Sequence, residues 1–113
     1  CCNKTLNKIS IKWNNNKSLC IVLCSKGYPE KYNKYVQIKN IKKFKLKKNN
    51  YLFHAGTINK NKKIYAIGGR VLNFVSISKN FSNAKEKILR NLKKLNWNKG
   101  FYRKDIGYKV TKK

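Results

Sequence analysis

Ile64-Tyr65-Ala66-Ile67-Gly68-Gly69-Arg70-Val71-Leu72-Asn73-Phe74-Val75-Ser76-Ile77, residues 64–77, decides the fold of this chain. Two runs rich in β-branched and aromatic residues flank a pair of glycines, and each run reads as a strand. Gly68-Gly69 between them makes either a hairpin turn or a tight bulged corner. Just downstream the apolar period changes. Ala84, Ile88, Leu92 and Leu95 share one helical face, with lysines and Arg90 on the other. Asn80 or Ser82 can cap that helix, which runs to about Leu95. Strands followed by one amphipathic helix predict an α+β fold, a small antiparallel sheet carrying one main helix.

Upstream, residues 51–54 form a short strand entering Ala55-Gly56-Thr57, and Asn59-Lys60-Asn61 is a turn. Val36 and Ile38 suggest another strand, whereas Ile41, Phe44 and Leu46 fit neither period. Residues 18–25 are a continuous apolar strand, expected to be buried on both faces, and Gly27-Tyr28-Pro29 punctuates it as a loop. Residues 1–16 predict a short helix with Leu6, Ile9 and Trp13 on one side, ended by Asn14-Asn15-Asn16. Downstream, Gly100 is a stop. Residues 101–110 read as a last extended stretch, and Thr111-Lys112-Lys113 as a tail.

A length of 113 residues suits one small domain, and 41% hydrophobic residues can fill a single core. The formal net charge of +26 points by itself to nucleic acid or an anionic membrane. Yet among 29 basic residues only Arg70, Arg90 and Arg103 are arginine, the side chain best matched to guanine and phosphate. Lys, Asn and Ile share A- and T-rich codons, so the charge reads as composition, with loose, salt-sensitive polyanion binding as its consequence. No apolar run approaches the roughly 20 residues of a membrane-spanning helix. No secretory signal opens the chain, so the cytoplasm is the expected compartment. The absence of methionine reads as the mark of a piece of something longer. Four cysteines with a single histidine lack zinc-ligand spacing. Cys20 and Cys24 share a strand face and are expected to be buried thiols.

Glu30, Glu86 and Asp105 are the only acids and stand far apart, so no carboxylate pair is available for acid–base work. His54 is the only histidine, and no serine or cysteine has a recognisable base. The chain is therefore expected to catalyse nothing alone. Gly68-Gly69-Arg70 is the most informative triplet. Paired glycines allow close backbone approach and outward-turned N–H groups, and an arginine grips a phosphate or carboxylate bidentately. A hairpin turn with a surface arginine has the same residues.

Four segments in order are more specific. Gly27-Tyr28-Pro29, Phe53-His54-Ala55-Gly56-Thr57, Gly68-Gly69-Arg70-Val71-Leu72 and Phe101-Tyr102-Arg103-Lys104-Asp105-Ile106-Gly107, with Trp97 after the helix, resemble the C-terminal domain of the phosphoribosylamine–glycine ligase family. The resemblance covers essentially the whole chain. It implies residues 1–16 as the tail helix of an ATP-grasp domain or linker and residues 17–113 as the C-terminal domain. It implies an enzyme of de novo purine biosynthesis that joins glycine to 5-phosphoribosylamine, with ATP cleaved to ADP and phosphate. Glycine is phosphorylated first, and the amine then attacks the glycyl phosphate. ATP and Mg2+ or Mn2+ belong to an upstream domain, so cofactor and metal ligands are not expected here. The C-terminal domain closes one side of the cleft. Arg70 is then the anion ligand, Gly68 and Gly69 shape the corner, and His54 and Thr57 are further substrate contacts. Arg103, Lys104 and Asp105 are either site residues or structural pairs.

The sequence departs from the family at three points. Tyr35 stands where a glycine is usual, Ile67 where a polar residue is, and Asn73 where a small one is. Two other readings remain. One is a basic nucleic-acid-binding module with Tyr32, Tyr35, Phe44 and Tyr51 as stacking platforms. The other is the partner subunit of a split ligase.

Overall fold

A computed structural model of the chain describes residues 2–111. Cys1, Lys112 and Lys113, assigned by the sequence to the first helix and the tail, lie outside the described residues. The elements in order are β1 (Lys17–Ser25), β2 (Val36–Gln37), β3 (Asn50–His54), β4 (Thr57–Lys60), β5 (Lys63–Ala66), β6 (Arg70–Ser78), α1 (Phe81–Leu95), β7 (Gly100–Phe101) and α2 (Tyr108–Thr111). They build two antiparallel sheets, one in the order β3-β6-β1-β7 and one in the order β2-β5-β4. The architecture is the expected α+β.

Alternation along β1 and β6 explains the larger sheet. Ile21, Leu23, Phe74 and Leu72 point one way and are buried, and α1 lays Ala84, Ile88, Leu92 and Leu95 on them. Each of these side chains except that of Ala84 stabilises the fold by about 1.5–3 kcal/mol of transfer free energy. Phe44 closes the core edge-on against Phe74, with ring centroids 5.9 Å apart. Phe44, one of the residues that fit neither sequence period, therefore packs against the core from an irregular loop. Ile38, Ile41 and Ala66 carry the core to the second sheet.

Helix α1 is defined by its ends. Asn80 is the cap, its side-chain oxygen accepting from Asn83 N–H at 2.8 Å. Asn96 ends the helix in the left-handed region at φ 48°, ahead of Gly100. Asn40 Nδ2 donates to the Leu95 carbonyl, and Trp97 Nε1 donates to the Gln37 carbonyl. Both bonds tie the loop around β2 to the C-terminal end of the helix.

Several expectations are corrected. Residues 2–16 hold only a single turn of 3-10 helix, Leu6–Lys8. Leu6, Ile9 and Trp13 are exposed, Trp13 to 86%, so the apolar face that would sustain a longer helix has nothing to pack on. β1 is buried on one face only: Cys20 is exposed and Cys24 half-buried, because α1 covers a single side of the sheet. The turn predicted at residues 59–61 lies at Asn61-Lys62, whose positive φ values of 49° and 59° join β4 and β5 in a two-residue hairpin. Residues 101–110 are not one extended stretch. β7 ends at Phe101, Asp105 accepts from Tyr108 N–H, and α2 follows.

Candidate functional site

Gly68-Gly69 is a corner between the two sheets and not a hairpin. β5 pairs with β2 and β4, while β6 pairs with β3 and β1. The register of β1 on β6 slips beyond the pair Leu23 and Leu72, so that Cys24 next faces Arg70. Val71 is the extra residue of a bulge, which is why Val71 and Leu72 are both fully buried in succession.

The connection from β3 to β4 clasps this corner. Ala55 N–H donates to the Val71 carbonyl at 3.0 Å and Gly56 N–H to the Arg70 carbonyl at 2.9 Å. In return the Gly56 carbonyl accepts from Ile67 N–H at 2.8 Å and Gly68 N–H at 3.2 Å. Ser25 holds the other side, its N–H donating to the Gly69 carbonyl at 2.8 Å and its hydroxyl to the Gly68 carbonyl at 2.9 Å. The structure thus brings Gly68, Gly69 and Arg70 beside the segment that carries His54 and Thr57. His54 Nδ1 lies 2.8 Å from Thr57 Oγ1, and the histidine is exposed.

The glycines act by their missing side chains. A Cβ on Gly56 would lie 2.6 Å from the Arg70 carbonyl oxygen and 2.7 Å from the Gly68 Cα. A Cβ on Gly69 would meet the Tyr28 ring at 2.0 Å. Outward-turned N–H groups were expected at this corner, but the Gly68 N–H is committed to Gly56. Ser25 and Tyr28 fix the corner from β1 and the loop after it. No sequence signal marks Ser25, and Tyr28 reads only as part of a turn.

Arg70 is the free charge here. Among the described residues the ion pairs are Arg90 with Glu86 and Arg103 with Asp105, at 2.6 and 2.5 Å, and Arg70 has no carboxylate partner. It lies near Cys24. Burial pushes the Cys24 thiol above its usual pKa, and the Arg70 charge pulls it back. Of the two roles left open for Arg103, the structure shows an ion pair with Asp105. Its guanidinium hydrogen-bonds both carboxylate oxygens of Asp105 and holds that group below the usual carboxylate range. Among the described residues no three His, Cys, Asp or Glu side chains gather to hold a metal ion. No helix among them is long and apolar enough to cross a membrane.

Of the aromatics considered as base platforms, Phe44 is in the core and Tyr32 packs edge-on to Tyr28. Tyr35 and Tyr51 are exposed, but Tyr51 lies on β3 whereas Tyr35 lies on the loop just before β2, a strand of the other sheet.

Comparison with known proteins agrees with this architecture. The family described as phosphoribosylglycinamide synthetase, C domain, matches residues 18–109. A phosphoribosylamine–glycine ligase of Fusobacterium nucleatum is 42% identical over 106 residues, covering 93% of this chain and 25% of the relative. One from Agrobacterium fabrum is 38% identical over 106 residues, covering 94% and 25%. Among solved structures, the phosphoribosylamine–glycine ligase of Thermotoga maritima superposes with a TM-score of 0.65 at 27% identity, over 80% of this chain and 22% of that one. The chain spans about a quarter of the length of the curated relatives it matches.

Proposed function

The chain belongs to the phosphoribosylglycinamide synthetase C-domain family, and on that premise we propose that it is the C-terminal domain of a phosphoribosylamine–glycine ligase. The whole enzyme joins glycine to 5-phosphoribosylamine with cleavage of ATP to ADP and phosphate, in cytoplasmic purine synthesis. This domain closes one side of the active-site cleft and holds substrate. The match across residues 18–109 is the observation that supports this reading.

ATP and the divalent ion, magnesium or manganese, belong to the remaining portion of the ligase. Among the described residues no cluster of His, Cys, Asp or Glu side chains fits a metal. What this chain supplies is position and charge. Arg70 is exposed, has no carboxylate partner among the described residues, and stands on a corner whose backbone is fixed from two sides. Its guanidinium offers two parallel N–H donors to a phosphate or carboxylate, launched from a backbone position that the corner fixes. The sugar phosphate of phosphoribosylamine and the glycyl phosphate are both such anions. Gly56, Gly68 and Gly69 let the two sheets meet closely enough to set that guanidinium at the rim. The segment that carries the His54–Thr57 pair is bonded to the backbone of this corner, and the pair supplies further polar contacts.

The test is steady-state kinetics of the complete ligase with Arg70→Ala. One charge-assisted interaction of about 1.5–3 kcal/mol corresponds to a rise of roughly 10- to 150-fold in the KM for phosphoribosylamine. The KM for ATP stays near its original value. Unaltered kinetics would remove Arg70 from the site. A complete ligase that forms no glycinamide ribonucleotide at all would sink the assignment of activity.

A further inference from the structure

Helix α1 covers one face of the β3-β6-β1-β7 sheet, and the opposite face is open. Across it the register sets Tyr51 beside Val75 and Val75 beside Cys20, with Val22 one step along β1 and Cys24 facing Phe101. Phe53 is 54% exposed, Tyr51 43% and Phe101 39%, and the rings of Tyr51 and Phe53 stack with centroids 6.3 Å apart. Between this face and the loops carrying Tyr28 and Tyr102 lies a groove of about 380 Å³. Contiguous exposed apolar surface of this kind marks an interaction site.

We propose that this sheet face is the surface on which the remaining three quarters of the ligase docks. The inference rests on the ligase reading above and adds where the domain meets its neighbour. Three observations select that occupant. The chain spans about a quarter of its curated relatives, so most of such a ligase lies outside it. The outward positions of β1 between Ser18 and Cys24, of β3 at Tyr51 and Phe53, and of β6 between Asn73 and Ile77 hold no lysine, although the chain carries 29 basic residues. These outward strand positions are free of lysine, as they must be where an ammonium would be taken out of water at a cost of several kcal/mol, and the one charged side chain lining the groove, Arg103, is paired with Asp105. The face also runs to the corner itself, where Arg70 pairs with Cys24 at the end of the β1-β6 ladder. A domain seated there bounds a cleft with Arg70 at its rim. A second copy of this chain is disfavoured, because two bodies of charge +26 repel.

Cys20 lies on this face and is exposed, so it reports coverage. The test compares maleimide labelling of Cys20, located by peptide mass spectrometry, in the 113-residue chain and in the complete ligase containing it, fused or as two polypeptides. Docking slows Cys20 labelling in the complete ligase by at least about tenfold. Phe53→Lys restores the rate there while leaving the unfolding midpoint of the 113-residue chain unchanged. Equal labelling in both forms overturns the proposal. Shielding of Cys20 in the 113-residue chain, with a dimeric mass on sedimentation, overturns it in favour of a second copy. Ligase turnover measured on the same samples separates the two readings. Turnover with an open Cys20 defeats docking alone, and a shielded Cys20 without turnover defeats the activity alone.

Discussion

The ring of Tyr28 occupies the space where Gly69 has no side chain, its Cδ2 only 2.0 Å from the position of a Cβ on that glycine. Gly69→Ala therefore overfills the corner and destabilises the chain by about 1–3 kcal/mol. Tyr28→Ala in the same molecule returns most of that loss, a coupling read from a double-mutant cycle in urea. Gly56→Ala differs in kind. Its Cβ meets the Arg70 carbonyl and the Gly68 Cα, which are backbone, so no side-chain truncation rescues it. Strict additivity of Gly69→Ala and Tyr28→Ala would show that the contact carries no energy.

Tyr35 is held at φ 57°, in the left-handed region that a bulky residue enters only with strain. A glycine would take this φ without the Cβ penalty. Tyr35→Gly relieves about 1–2 kcal/mol of strain and forfeits about 0.5–1 kcal/mol through the freer unfolded chain. A net rise in unfolding free energy of up to about 1.5 kcal/mol is expected by urea titration, and a fall would contradict it.

The Cys24 thiol is raised by burial and lowered by Arg70. Arg70→Gln leaves burial unopposed, so the pKa climbs and the thiolate fraction at about pH 8 drops. Alkylation of Cys24 should slow at that pH, and the difference should vanish once the pH exceeds both pKa values. A rate–pH profile that does not shift upward would place Arg70 out of electrostatic reach of the thiol.

Ser76 is fully buried beneath α1, and its hydroxyl has no hydrogen-bond partner among the described residues. Replacing it with alanine removes an unsatisfied polar atom without breaking a bond. Thermal unfolding of Ser76→Ala should show stability unchanged or higher by up to about 1 kcal/mol. Marked destabilisation would reveal a partner for the hydroxyl.

The main helix was legible because its signals are local. Asn80 offers an oxygen to a free N–H, and four apolar residues repeat at the helical period. The strands around Gly68-Gly69 were legible for the same reason. The helix expected over residues 1–16 failed because a short helix takes its stability from what it packs against, and Leu6, Ile9 and Trp13 face solvent. Burial of β1 on both faces failed likewise, since an apolar run cannot say whether one helix or two will cover a sheet.

The sequence by itself determined the α+β class, the helix and its cap, and the order of segments that carries the family. It also singled out Arg70 and the glycines before it. Only the tertiary structure decided that the glycines form a corner between two sheets, that Gly56 and Tyr28 fill the space they leave, and that Ser25 takes both their carbonyls. Those contacts join residues more than ten and up to about forty positions apart, and they depend on a one-residue slip at Val71 that alternation cannot foretell. Local periodicity fixes which residues face inward. What they face is settled only when distant strands meet.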